Sequence, residues 1–167
     1  MPMMVVKHEG GVSSSINVRG HTVIADAPPA MGGQDRGPTP VDLLAGSLGA
    51  CIAFYVARYC QQANVPYEGF EVDLDYVHDR EAHCVPELSA VVRMPEGFPK
   101  EREAALLKVA RGCTIHNTLC TIPKIDVTIG VDICLSRFSR CCTGKCYCNR
   151  VDRECIKVRG RQDGDRN

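Results

Sequence analysis

Apolar and polar residues alternate over three short stretches at the start of the chain, and a period of two belongs to strands. Met3 to Val6, continuing to His8, forms the first, and Gly10-Gly11 supplies a turn that suits a hairpin. Val12, Ile16 and Val18 then fall on one face of a second strand, with Ser13, Ser15 and Asn17 on the other. Arg19-Gly20 turns the chain into a third strand, His21 to Asp26. Residues 27–38 hold three prolines and three glycines, a composition that predicts a loop with no regular element.

A helix follows with a clear start. Thr39 suits the N-cap, Pro40 the first helical position, and Asp42 the third, where its carboxylate meets the positive first turn. The pattern carries this helix to about Asn64 and is apolar nearly all round until Arg58, which predicts an element buried on every side. Its uncharged run, Leu43 to Ala57, is fifteen residues, short of the ~20 a membrane span needs. Gly46, Ser47, Gly49 and Ala50 form a band of small residues that allows another backbone to approach closely. Phe70, Val72, Leu74 and Tyr76 alternate with acidic residues as a strand, and Leu88 to Met94 repeats the pattern after a polar connection, 78–87. A second helix over Lys100–Arg111 ends at Gly112, a short turn occupies about 115–120, and Ile125 to Ile133 alternates as a last strand. The order βββ-α-ββ-α-α-β, with antiparallel strands, is α+β.

Composition changes this picture in one place. Over 167 residues, 44% are apolar and 5% aromatic, with no Trp, so the core is built mainly of Val, Ile, Leu and Ala. The net charge of zero excludes a general nucleic-acid or membrane signature. Yet residues 134–167 carry nine Lys/Arg against four Asp/Glu, and six of the eleven cysteines. The expected organisation is therefore a domain over 1–133 and a basic, Cys-rich extension over 134–167. The start of the chain lacks the pattern of a signal peptide, which predicts a cytoplasmic protein whose cysteines are thiols, metal ligands or catalytic groups.

Two cysteines lie where chemistry is possible. Cys51 sits in the long helix between Ala50 and Ile52, where core packing is the plain alternative to reactivity. Cys113 follows Gly112 and precedes Thr114, a plausible N-cap, so its thiol would lie at the positive end of a helix with His116 nearby. An incidental cysteine in a capping turn explains the same residues.

The pattern as a whole says more. Gly37-Pro38-Thr39-Pro40-Val41-Asp42-Leu43-Leu44, then Gly46-Ser47-Leu48-Gly49-Ala50-Cys51, resembles the signature of the OsmC/Ohr family. Asp26-Ala27-Pro28 with Gly32-Gly33 upstream, and Gly112-Cys113-Thr114 leading through Pro123, extend the likeness over residues 1–133. The resemblance implies an intertwined homodimer with antiparallel sheets on a long central helix. It further implies a Cys-based peroxidase without a cofactor, in oxidative-stress defence. Cys51 would attack a hydroperoxide, Cys113 would resolve the sulfenic acid to a disulfide, and a dithiol reductant would regenerate the pair.

The chain departs from the family's peroxidases at one telling position. Those enzymes carry a Glu directly after the proline that opens the helix, and it orients an activating Arg; here that place is Val41. Asp42 lies one residue on, about 100° round the helix, in a capping position. Arg19 and Arg36 are the candidates for the Arg. This pattern is nearer the OsmC-like branch than the dedicated organic hydroperoxide reductases. It keeps open a second reading, a non-catalytic dimer that binds a small hydrophobic ligand in its inter-subunit cleft. Cys60 and Cys120 read as packing residues and His83-Cys84 as part of a hairpin loop. In the tail, Cys142, Cys146, Cys148 and Cys155 supply four thiolates, the number tetrahedral Zn²⁺ takes. Their irregular spacing, without a Cys-x-x-Cys knuckle, leaves no metal ligand assigned.

Overall fold

The computed structural model describes residues 4–121 and 123–130, and the backbone of 146–148 and 155–157. One compact unit ends at Pro123 and a second begins at Lys124; the boundary expected after residue 133 lies outside the described residues. In the first unit, β1 (Val5–Gly10), β2 (Ser13–Val18) and β3 (His21–Ala25) form an antiparallel sheet in that order. The long helix α1 (Pro40–Ala63) follows, then the antiparallel pair β4 (Glu71–Asp79) and β5 (Cys84–Arg93). Two short helices, α2 (Glu103–Arg111) and α3 (Thr114–Cys120), complete it. In the second unit, β6 (Cys146–Cys148) pairs antiparallel with β7 (Cys155–Lys157). The class is α+β, as the patterning predicts.

The start of α1 is fixed by chemistry local to it. The Thr39 side chain accepts the Asp42 amide, the Asp42 side chain accepts the Thr39 amide, and Pro40 presets the first helical φ. Asn64 ends the helix in the left-handed conformation, φ 50°. One face of α1 carries Leu48, Ile52, Val56 and Cys60 into a core shared with Leu106, Ala110 and Cys113. Against it lie Val72 and Leu74 of β4 and Leu88 and Val92 of β5. Gly49 is where β4 comes closest: a Cβ there would collide with the Leu74 side chain, whereas one at Gly46 would meet nothing. Of the two glycines in the band, Gly49 alone makes room for a side chain of the sheet. At 24 residues, α1 is long and apolar enough by composition to cross a membrane, and here it is the core helix of a packed unit.

Three expectations are corrected. First, within the single chain α1 is not buried on every side: Leu44 and Phe54 are 39% and 56% exposed. Second, β2 buries the opposite face from the one its pattern suggests. Ser13 and Ser15 are each 5% exposed while Ile16 and Val18 are only half-buried; Ser13 shares a hollow with Asp26 and the loop residues Gly33, Gln34 and Arg36. Third, residues 123–130 form no strand, and Ile125, Val127 and Ile129 are 77%, 86% and 98% exposed. A strand exists only when its backbone groups are paired, and no described segment pairs with this one; its expected end, 131–133, lies outside the described residues. Two smaller differences follow from local geometry. Pro29–Met31 makes one turn of 3₁₀ helix inside the 27–38 loop. The β4–β5 hairpin extends further than expected, taking Pro86 into an irregularity between the pairs Val77↔Glu87 and Asp79↔Cys84, where its missing N–H does no harm.

Candidate thiol redox site

The two cysteines singled out above, 62 positions apart in sequence, are brought together by the packing of α3 on α1. Cys113 is itself the N-cap of α3, with φ −69° and ψ 152°, and its Sγ accepts the His116 amide at 3.4 Å. Thr114, the residue expected to cap, is the first helical residue instead. The amide preceding that of His116, from Ile115, donates to the Sγ of Cys51 at 3.5 Å across from α1. Successive amides of one turn therefore reach the two sulfurs in turn. Ile115 packs against the core, and Tyr55 Oη lies 3.0 Å from Thr114 Oγ1, so apolar and polar contacts both seat this turn on α1.

The two thiols are not equivalent. Cys113 is fully buried and Cys51 only partly so; both are free thiols. Burial pushes the Cys113 thiol above its ordinary value, the His116 amide opposes this, and the neighbouring Cys51 raises it further through a hydrogen bond and through charge. Cys60 is likewise raised by burial, in the core. Cys84 and Cys120 are exposed, which corrects the packing role expected of Cys120. The His116 ring lies 3.8–3.9 Å from the Cys120 Sγ, so its side chain turns away from the pair that its amide supports.

The residues proposed to activate Cys51 lie elsewhere. Arg19 occupies the β2–β3 turn at φ 48°. Arg36 lies in the loop that Asp26 organises: the Asp26 carboxylate accepts the amides of Ala27 at 2.8 Å and of Gln34 and Arg36 at 3.1 Å. Those amides, Ala27's foremost, hold the buried carboxyl below its usual range. Among the described residues, no hydrogen bond or ion pair joins either arginine to Cys51. Asp42 is committed to its cap, accepting the Thr39 hydroxyl at 2.7 Å and the Tyr76 hydroxyl at 2.6 Å. These bonds, Thr39's first, hold Asp42 below its usual range, and the carboxylate in turn raises the Tyr76 phenol.

A cavity of about 770 Å³ lies between α1, α2 and β5, with Leu48, Ile52, Val92, Phe98 and Leu106 in its walls and His116 at the α3 side; neither Cys51 nor Cys113 lines it. Among the described residues, no three His, Cys, Asp or Glu side chains are grouped to hold a metal ion. Of the tail cysteines, Cys134, Cys141 and Cys142 lie outside the described residues, and the β6–β7 register sets the backbone of Cys148 opposite Cys155.

Known proteins of the same shape share this arrangement of elements. A protein of Psychrobacter arcticus assigned to the osmotic-stress and detoxification response superposes with a TM-score of 0.66 at 19% identity, over 71% of this chain and 88% of its own. An OsmC-like protein of Mycoplasma pneumoniae gives 0.62 at 13% identity, over 71% and 86%. An organic hydroperoxide resistance protein of Elizabethkingia anophelis gives 0.55 at 16% identity, over 73% and 91%. No curated protein sequence matches the chain. At these identities the likeness establishes the fold alone. The sequence itself goes further: the model of the OsmC-like protein family matches residues 32–128, more than half of the chain and the whole span that carries Cys51 and Cys113. The chain belongs to the OsmC-like family.

Proposed function

We propose that the protein reduces organic hydroperoxides with a thiol pair, Cys51 as the peroxidatic residue and Cys113 as the resolving one, in oxidative-stress defence. The observation that carries this reading is the α3 turn whose consecutive amides donate to the two sulfurs. Accessibility orders the roles: a peroxide reaches the partly exposed Cys51 before the buried Cys113. The Cys51 thiolate takes the distal oxygen of the hydroperoxide and releases an alcohol, leaving a sulfenic acid. Cys113 then attacks that sulfur, and the sulfenic hydroxyl leaves as water with the Cys113 proton. Two thiols of a dithiol reductant reopen the disulfide by exchange.

The pair has an order built into its electrostatics. Burial is the main cause that raises the Cys113 thiol, and the charge and hydrogen bond of Cys51 add to it. Oxidation of Cys51 to a neutral sulfenic acid removes these two additions, so Cys113 becomes easier to ionise when its partner is ready to be attacked. A homodimer is part of the reading, supported by the uncovered Leu44 and Phe54 on α1 and the exposed Val6 and Val23 of the first sheet. So is the division into a domain over 1–133 and a Cys-rich extension.

Mass spectrometry of the reduced protein after one equivalent of an alkyl hydroperoxide tests the assignment. A Cys51–Cys113 disulfide, absent from Cys51→Ser and Cys113→Ser, is the expected product. Both thiols reduced while peroxide persists would overturn it. The second reading, a non-catalytic protein holding a small hydrophobic ligand, is favoured by one observation, the apolar cavity between α1, α2 and β5. A ligand that co-purifies and survives reductant would support it.

A further inference from the structure

We infer that Tyr55 and Thr114 are a positioning pair, a hydroxyl–hydroxyl bond that keeps the resolving thiol's helix seated on α1 while the disulfide closes. The inference rests on the thiol chemistry proposed above and deepens it. Tyr55 stands one helical turn beyond Cys51, and Thr114 is the residue after Cys113, so their solvent-exposed bond at 3.0 Å ties the same two segments that carry the sulfurs. The Tyr55 ring is held in place by packing on the core and by the Phe54 ring, edge-on at 5.6 Å.

Besides the contact between the two thiols, α1 and α3 are joined among the described residues by two hydrogen bonds: the Ile115 amide to Cys51 Sγ, and Tyr55 to Thr114. The first depends on the redox state. A thiolate is a good acceptor, and a sulfur bonded to oxygen or to a second sulfur is a poor one. Once Cys51 is oxidised, the amide's bond to that sulfur weakens, and the closed disulfide offers it only a poor acceptor. The hydroxyl pair contains no sulfur and is unaffected, so it is the polar tie that persists through the condensation.

Alignment matters because the sulfenic acid has a competing fate. In condensation, Cys51–S–OH and Cys113–SH give the disulfide and water. In over-oxidation, a second hydroperoxide transfers an oxygen to the same sulfur, giving a sulfinic acid and releasing an alcohol. A loosely held α3 slows the first route and leaves the second untouched. The pair therefore sets how much peroxide the protein survives.

The ratio of disulfide to Cys51 sulfinate, read by mass spectrometry of the full chain over rising alkyl hydroperoxide, tests this. The ratio counts only Cys51 that has already reacted, so a slower first oxidation does not alter it. Tyr55→Phe and Thr114→Val should each lower it by roughly two- to tenfold, the span one neutral hydrogen bond sets. The double variant should be no worse than either single one, and Thr114→Ser, which keeps the hydroxyl, should restore the ratio. An unchanged ratio in both single variants, or a loss that Thr114→Ser fails to restore, would overturn the pair. If wild type yields neither disulfide nor sulfinate at Cys51, the thiol chemistry itself is wrong and the pair falls with it. A wild-type disulfide that Tyr55→Phe forms just as cleanly sinks the pair alone.

Discussion

Two antiparallel sheets in the first unit are built on the same alternation and meet opposite fates. In β4–β5 the pairs Val72↔Val92, Leu74↔Ala90 and Tyr76↔Leu88 lie on one face, and α1 covers it. In β1–β3 the ladder Val6–Ile16–Val23 lies on one face too, yet Val6 is 60% and Val23 39% exposed while Ser13 and Ser15 are buried on the other. Alternation specifies that a strand has two unlike faces. Which face is buried depends on what else arrives, and for the first sheet the arrival within this chain is the Asp26 loop.

The comparison predicts its largest energetic difference in the cores. Leu106→Ala, at a residue 5% exposed against α1, should lower the free energy of unfolding by about 2–5 kcal/mol in denaturant titrations. Val6→Ala in the open ladder should cost under ~1 kcal/mol in a single chain. If Val6→Asp also converts a dimer to a monomer in light scattering, the ladder is covered by a second copy, and the asymmetry between the sheets belongs to one chain only.

A smaller effect separates the sheets at their attachment to α1. Tyr76 of β4 donates to Asp42 inside the helix cap; β1–β3 makes no such side-chain bond to the helix among the described residues. Tyr76→Phe should therefore destabilise by about 1 kcal/mol, and acid should remove the same support. Asp42 is held below its unfolded value by Thr39 and Tyr76, so its contribution is present above about pH 4 and is lost as pH falls through the lowered folded value. Cys113 and Cys60 work in the reverse sense at the other end of the scale. Both are raised above 9.0, so the stability they confer as neutral thiols is complete below the unfolded value and is lost as pH rises through the folded ones. Cys51→Ala removes the charge and the hydrogen bond that help raise Cys113, and should lower the pH at which Cys113 becomes alkylated, as measured by iodoacetamide rates and peptide mapping.

What the residues revealed before the fold was known follows the same division between local and distant causes. The α1 cap was legible because Thr39, Pro40 and Asp42 act on each other within four positions. The β4–β5 alternation was legible because its partner strand is next in sequence. The thiol pair was suggested by the resemblance to the family's signature, and its geometry was not legible. A cysteine acting as its own helix's N-cap is outside the usual set of Ser, Thr, Asp and Asn. The Tyr55–Thr114 bond spans 59 positions with nothing local to mark it. The stretch from Ile125 alternates as a strand does, yet over 125–130 no described segment pairs with it.

The smallest expected effect tests the assumption beneath the comparison, that the outer face of β4–β5 meets water. Asp73 and Arg93 pair across the strands there, with side chains 46% and 64% exposed. A pair so open to solvent gains little, because water screens the attraction and two long side chains lose freedom in keeping it. Asp73→Asn should cost no more than ~0.5 kcal/mol, and that difference should fade as salt is raised from 0.05 to about 0.5 M, where the screening length drops to a few ångströms. The neighbouring Val91, 54% exposed on the same face, makes the alternative worth excluding. A cost above ~1.5 kcal/mol that persists in salt would mean the pair is desolvated in solution. Another surface would then lie on the outer face, and β4–β5 would be covered on both sides while β1–β3 remained open on one.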